Sequence, residues 1–275
     1  MIVWLINPFD AIPDEKWGYK HGMFLANALT ARGFQVIYWT SSFSHAIKAQ
    51  RSNGWEDRVI SPKLTIRIVP SREYSKHVGI RRIMSLLDFA RGILVKGIFS
   101  ERPSCIVVAA PNLFSDVFSV WLAHWHNAAL VLDFRDLWPE IFVSALPRWA
   151  KRFSRFIFWP LRRMRIYAFQ NASGLASVCE TYRQVAFSEA PVLRERPTEL
   201  VYSTGVDLSS FLAQMTDTAY DCNLINKEAD VLWCIYAGTI GNNYDIETLL
   251  KASVLLREQA PQLRIVVAGD GPLRL

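Results

Sequence analysis

Cysteine is scarce in this 275-residue chain: Cys105, Cys179, Cys222 and Cys234 stand far apart, with no CxxC pair. Such spacing argues against a disulfide framework or a thiolate metal cluster, and the four thiols read as reduced side chains of a core. Long hydrophobic runs are missing as well. No apolar segment reaches the roughly 18 to 20 uncharged residues needed to span a bilayer. The opening MIVWLINPFD has no basic leader region and reads as a first strand, so the chain is expected in the cytosol. Glycine and proline, 13 of each, are scattered rather than gathered into a low-complexity tract, and no internal repeat is present. With 51% hydrophobic and 20% charged residues the chain is globular, long enough for one large or two modest domains.

One absence is local. Between Glu140 and Glu180 there is no acidic residue, yet Arg148, Lys151, Arg152, Arg155, Arg162, Arg163 and Arg165 all fall there, interleaved with aromatics. With a net charge of +6 and a pI of about 9.2, the chain is expected to have an anionic partner. At 3.6 residues per turn Trp149, Phe153, Phe156 and Ile157 share one helical face, opposite a cationic one, until Pro160 interrupts the helix. Two readings fit. Trp149, Arg152, Phe153, Arg155, Phe156 and Trp159 form an interfacial membrane contact, or the segment is a core helix with a solvated basic back. No nucleic-acid module is recognisable, and the aromatics lie on an amphipathic helix rather than a sheet platform, so nucleic acid is not an expected partner.

Along the chain, the apolar runs IVWLIN, QVIYWTS, LTIRIVPS, CIVVAAP, ALVLDF, GLASVC and LVYS alternate with helical patterns near 19–32, 79–100, 113–126, 148–170 and 180–188. That alternation predicts a doubly wound parallel sheet covered on both faces. This domain is expected to occupy residues 1–212, with a more polar linker over 213–229. A second unit opens at 230–275: strand VLWCIYAG, loop TIGNNY, a helix from Asp245, strand LRIVVAG and loop GDGPL. A single βαβ unit of this size cannot bury both faces of its sheet, so the chain is expected to be truncated relative to the architecture it begins.

Certain residues sit where such folds place chemistry. In open parallel sheets ligands bind beyond the carboxyl ends of strands, which puts Arg135, Asp136 and Glu140 of VLDFRDLWPE toward a cleft. A structural alternative has Asp136 capping a turn, Arg135 bridging it, and Trp138 with Pro139 packing the loop. Gly18 and Gly22 flank the first strand-to-helix loop, where small residues let amides approach a ligand, although a bare turn also accounts for two glycines. In the second unit Gly238, Thr239, Gly241 and Asn242 precede a helix, and Gly269, Asp270 and Gly271 end a strand, so both loops can present amides to a diphosphate. His124 and His126, at i and i+2 on a helix, point apart and read as packing or surface residues.

The segments EKWGYKHGMFLANALTARGFQVIYWTS, FRDLWPE, YSTGVDLSSF, YAGTIGNNYDIETLLKA and VVAGDGP together resemble family 4 glycosyltransferases of the GT-B fold. The likeness is to the bacterial branch that builds cell-surface polysaccharides (capsule, exopolysaccharide, O-antigen), and RDLWPE is its most specific mark. It implies a complete N-terminal Rossmann-like domain and the beginning of a second one. It also implies transfer, with retention, of a hexose or N-acetylhexosamine from a nucleotide sugar to a polyprenyl-diphosphate-linked glycan at the inner face of the plasma membrane. By resemblance Asp136 is the catalytic residue, and Gly18, Lys20, His21 and Gly22 belong to the loop that closes over acceptor and donor. No metal or other cofactor is expected. The family's donor-gripping Arg and Lys are replaced here by Thr239, Asn242 and Asn243, and its glutamate pair and base-binding loop would lie beyond Leu275. Two alternatives stand beside this reading: a non-catalytic product that binds membrane or acceptor, and a nucleotide-sugar epimerase of the same fold.

Overall fold

The computed structural model describes the chain except for residues 16–19, 76–78, 144–145, 197, 206–207, 209–211, 213–229, 242–243, 272 and 275. It divides into two units, Met1–Asp207 and Leu208–Leu275. The expected linker at 213–229 lies outside the described residues.

The first unit runs β1 (Ile2–Ile6), α1 (His21–Ala31), β2 (Gln35–Ser41), β3 (Phe43–Ser44), β4 (Ala49–Gln50), β5 (Glu56–Ser61), β6 (Leu64–Val69), α2 (Ile80–Ile98), β7 (Cys105–Ala110) and α3 (Leu113–His126). It continues with β8 (Ala129–Phe134), α4 (Arg148–Lys151), α5 (Ser154–Ile157), α6 (Trp159–Asn171), β9 (Gly174–Ser177), α7 (Glu180–Glu189) and β10 (Thr198–Val201). The main sheet has the order β10-β9-β8-β7-β1-β2-β6-β5. Every pairing in it is parallel except that of β5, which runs antiparallel to β6 at the edge.

Side chains alternate across each strand, so a strand buried on both faces must be apolar throughout. β1 meets that demand: Trp4 and Ile6 join a core with Phe89, Val120 and Phe169 of α2, α3 and α6. Val3 and Leu5 face the other side with Met23 and Ala26 of α1. α3 packs between α2 and α6, and His126 at its end hydrogen-bonds the Gly97 carbonyl at 2.9 Å while its ring meets Trp4 edge-on.

The order of the sheet fixes where a ligand can enter. From β1 the chain moves outward through β2 and β6, then returns to place β7 on the other side of β1 and continues to β8, β9 and β10. The switch point therefore lies between the carboxyl ends of β1 and β7, where neighbouring connections diverge and leave a crevice.

The region 148–170 differs from the single interrupted helix read from its periodicity. Two one-turn helices, α4 and α5, precede α6, and Pro160 lies in the first turn of α6 rather than at a break. A proline there loses no helical hydrogen bond, because the first amides have no intrahelical acceptor. No helix among the described residues is long and apolar enough to cross a membrane.

The second unit is a βαβ element, with β11 (Leu232–Ala237) parallel to β12 (Leu263–Ala268) and α8 (Ile246–Gln259) between them in sequence. Asp245 caps α8 by accepting from the Thr248 amide at 3.1 Å.

Candidate functional site

The crevice at the switch point is built from strand ends. After β1, the Asn7 side chain accepts the amides of Phe9 at 2.9 Å and Asp10 at 3.4 Å, curling the loop so that Asp10 turns inward. Asp10 then accepts the Gly22 amide at 2.7 Å at the start of α1. Gly22 is required there by crowding, since a Cβ at that position would lie 2.5 Å from the Tyr38 hydroxyl oxygen. Behind this loop the buried Arg51 grips Glu15 with two nitrogens, each at 2.9 Å, and donates to the Asp10 carbonyl at 2.7 Å. A bidentate pair of this kind fixes orientation as well as position.

From β8 comes Asp133, only 3% exposed. Its carboxylate accepts from Arg135 Nε at 2.8 Å and from the Tyr202 hydroxyl, and lies 3.9 Å from His21 Nε2. The Tyr202 and His21 rings stack at 5.1 Å. Arg135 is held between two acids, with Asp10 3.5 Å from its Nη1. Burial works against its charge, but the Asp133 and Asp10 carboxylates outweigh burial and keep the guanidinium firmly protonated. Burial and then the Arg135 charge push the His21 imidazole below its ordinary range, with Asp133 and Asp10 pulling the other way, which favours a neutral ring.

A cavity of about 370 Å³ opens over this network, with Asn7, Asp10, Arg82, Arg135, Asp136 and Trp138 in its wall. Asp136 stands at the solvent side, and loss of hydration raises its carboxyl above the usual range against the opposing pull of Arg82 and Arg135. The Arg82 guanidinium lies over the Trp138 ring at 5.0 Å and the Phe9 ring at 5.6 Å. The cavity thus offers a carboxylate at its rim, a guanidinium resting on aromatic rings and a paired guanidinium at its floor. That combination suits a polar ligand carrying hydroxyls and negative charge.

The residues singled out from sequence separate into groups. Arg135 and Asp136 line the cavity, His21 sits beside it on Asp133, and Lys20 immediately precedes α1, half-buried. Gly18 and Asn242 lie outside the described residues. Glu140 turns the other way: it starts a 3-10 turn and pairs with Arg162 at 2.9 Å and Arg165 at 2.6 Å. It is not among the residues lining the cavity.

In the second unit the loops after β11 and β12 are sewn together. The Gly238 amide donates to the Ala268 carbonyl at 3.0 Å and the Ile240 amide to the Asp270 carbonyl at 2.9 Å. A Cβ on Gly269 would stand 1.8 Å from the Gly238 oxygen, and one on Gly271, at φ 158°, 2.2 Å from the Ile240 oxygen. These glycines permit close loop contact, and two of the loop amides are already spent on it. Thr239 presents its carbonyl to the Tyr236 hydroxyl at 2.9 Å.

Asp10, Arg82, Asp133, Tyr202 and Arg51 were not found from sequence. Asp133 carried a signal, a carboxylate inside the apolar run ALVLDF, because a charge in a doubly buried strand needs partners. The others reach the site from loops and helices remote in sequence.

The predicted membrane residues are exposed rather than packed: Trp149 at 73%, Phe156 at 81% and Trp159 at 61%, with Phe153, Arg152 and Arg155 also exposed. A core helix would have buried that apolar face, so the core-helix alternative does not describe this segment.

No family model matches the sequence, and no curated protein does. Solved structures do. The catalytic domain of starch synthase IV from Arabidopsis thaliana, bound to ADP and acarbose, aligns with a TM-score of 0.60 at 10% identity, covering 99% of this chain and 69% of that one. HepE from Anabaena, in complex with UDP and glucose, aligns at 0.53 and 11% identity over 98% of this chain and 61% of that one. UDP-N-acetylglucosamine 2-epimerase from Rickettsia bellii aligns at 0.52 and 11% identity, over 98% and 62%. This chain therefore spans under two thirds of the length of the last two. At such identities the likeness establishes the fold, an α/β architecture of the GT-B type.

Proposed function

We propose that this chain belongs to a glycosyltransferase that moves a hexose or N-acetylhexosamine from a nucleotide sugar to a polyprenyl-diphosphate-linked glycan during cell-surface polysaccharide synthesis. The observation that carries the reading is the cavity at the β1/β7 switch point, where Arg82, Arg135, Asp10 and Asp136 converge. In the proposed reaction the bond from the anomeric carbon to the nucleotide diphosphate breaks, and the acceptor hydroxyl oxygen bonds to that carbon on the same face. Its proton leaves with the diphosphate. Asp136 orients the hydroxyl and faces the positive charge that builds at the anomeric carbon. The donor diphosphate is assigned to Gly238, Thr239, Gly241, Asn242, Gly269, Asp270 and Gly271, without a metal ion or other cofactor.

The test is incubation with a panel of nucleotide sugars and a polyprenyl-diphosphate glycan, followed by product mass. Addition of one hexose or N-acetylhexosamine is expected, and a panel that leaves the acceptor mass unchanged sinks the reading. A second reading, epimerisation of the nucleotide sugar alone, is favoured by the fold shared with the Rickettsia enzyme at a TM-score of 0.52. It predicts a new sugar nucleotide in the absence of any acceptor.

Asp133→Asn keeps the shape of the floor and removes the charge that orients Arg135, Tyr202 and His21. Transfer is expected to fall about 100-fold, because displacement of a positioning group by about an ångström has that effect. Substrate saturation curves on the folded variant check this, and a rate within threefold of the parent would return Asp133 to a purely structural role.

The exposed aromatics and cations of 148–159 support a place on an anionic membrane face, where apolar area inserts and cations meet lipid charge. Trp149→Glu with Phe156→Glu removes two exposed rings worth roughly 1.5 to 3 kcal/mol each when buried. Sedimentation with anionic vesicles is expected to drop at least tenfold, while unchanged sedimentation would remove the segment from the membrane.

A further inference from the structure

A second cavity, about 260 Å³, shares a wall with the first. Ile83 and Leu86 of α2, Leu113 of α3, Phe142, and Phe158 and Leu161 around the start of α6 supply its apolar surface. Among the described residues Arg82 is the one charged side chain in its lining, and Arg82 and Trp138 are the two that it has in common with the polar cavity. The Trp138 indole, 8% exposed, is thus a partition, braced by Phe142 edge-on at 4.9 Å and crossed by the Arg82 guanidinium. On the far side, Phe158 joins the groove to the exposed Phe156, Ile157 and Trp159.

We infer that this groove seats the first stretch of the acceptor's isoprenoid chain, with the diphosphate on Arg82 at the entrance to the polar cavity. The assignment rests on the reading of the chain as a transferase acting on a lipid-linked acceptor. Chemistry narrows the occupant. Besides Arg82 the described lining side chains carry almost no hydrogen-bonding capacity, so against them a peptide or sugar would leave its polar groups unpaired, whereas a hydrocarbon leaves none. A guanidinium only donates, which matches a polyanionic head at the point where the chain would emerge. A cavity of about 260 Å³ holds a short run of chain rather than a whole polyprenyl tail, so the remainder would continue past Phe158 toward the exposed aromatics.

Binding of farnesyl diphosphate and of inorganic pyrophosphate to the full chain, by calorimetry without donor, tests this. Farnesyl diphosphate is expected to bind at least tenfold more tightly. Leu161→Trp, which fills the groove, should shrink that advantage below threefold while leaving pyrophosphate affinity in place, and Arg82→Gln should weaken both ligands. Ile83→Trp, at the exposed rim, serves as the second groove-filling variant should the first unfold. Equal affinity for the two ligands in the parent, or an advantage untouched by both groove variants, would overturn the assignment. Displacement of farnesyl diphosphate by vesicles of phosphatidylcholine alone would hand the groove to bilayer lipid and overturn it too. A farnesyl preference without sugar transfer would instead sink the transferase reading and keep the groove.

Discussion

Replacing Arg165 with methionine is expected to lower the unfolding free energy by about 3 to 5 kcal/mol, the range found when one partner of a buried ion pair is removed. Arg165 is 2% exposed. Its guanidinium holds Glu189 through Nε at 2.8 Å and also through Nη2, holds Glu140 at 2.6 and 3.0 Å, and donates to the Trp138 carbonyl. Methionine fills much of the same space, so the loss would come from stranded carboxylates rather than from a void. Glu189 is the more enclosed of the two, at 15% side-chain exposure against 35% for Glu140. Arg162 remains as a cation for Glu140, 2.9 Å away. The double variant Arg165→Met with Glu189→Leu should therefore recover part of the stability. Arg165→Lys should recover less, since a single ammonium cannot serve both carboxylates and a carbonyl in the fork geometry of arginine. Denaturant midpoints measured at neutral pH decide the matter. A loss under 1 kcal/mol for Arg165→Met would mean that water already reaches these groups. Because Arg165 also anchors the backbone of Trp138, the same variant should loosen the partition between the two cavities.

That ion cluster marks the limit of what the sequence discloses. Glu140 follows Asp136 by four residues, and a strand-end rule puts both toward a cleft, but the 3-10 turn at Glu140–Val143 carries it back onto α6. Its partners Arg162 and Arg165 lie 22 and 25 residues ahead, at a separation no local pattern encodes. Strands β1, β2, β6, β7 and β8 were legible because burial on both faces forces a near-continuous apolar run, interrupted only where a polar side chain such as Arg67 or Asp133 finds partners. β5, with the sequence EDRVIS, was not read as a strand: it pairs only at the sheet edge, leaves Val59 and Ile60 exposed and answers to Arg67 through Asp57. β3 and β4, of two residues each, are too short to leave a period. The site divides in the same way. Arg135 and Asp136 were readable as the end of β8, whereas Asp10 and Arg82 join them only because the strand order brings β1 and α2 alongside. The basic aromatic segment over 148–159 shows composition outrunning periodicity. The excess of aromatics over acids was visible, yet it is their exposure on two separate helical turns, not one continuous face, that leaves them available.

Asp116 should make the stability of this chain fall as the pH rises from about 4 to 7. It sits in the first turn of α3, 2% exposed, and burial pushes its carboxyl up to about 7, opposed only by the Asn112 amide, which donates to it at 3.3 Å. Asn112, Ser115 and Ser119 are equally buried, and among the described residues their side chains have no hydrogen-bond partner, so nothing there compensates a negative charge. The sign follows from proton uptake. Between the unfolded value near 3.9 and the folded value near 7, the native state holds a proton that the unfolded chain has released. The stabilisation is then complete below the lower value and disappears as pH climbs through the upper one. Three pH units at 1.36 kcal/mol each set a ceiling of about 4 kcal/mol. Asp116→Asn retains the acceptor oxygen for Asn112 and cannot ionise, so it removes the slope. At pH 8 the variant should be more stable than the parent by a few kcal/mol, approaching that ceiling only if the pocket stays dry, and at pH 4 the two should coincide. Taking the difference between variant and parent cancels every other titrating group, which makes the pH dependence of that difference the quantity to measure. A difference that stays constant from pH 4 to pH 8 would mean that Asp116 ionises as readily in the folded chain as in the unfolded one, and the buried polar cluster at the head of α3 would then accommodate the carboxylate by reorganising rather than by keeping it protonated.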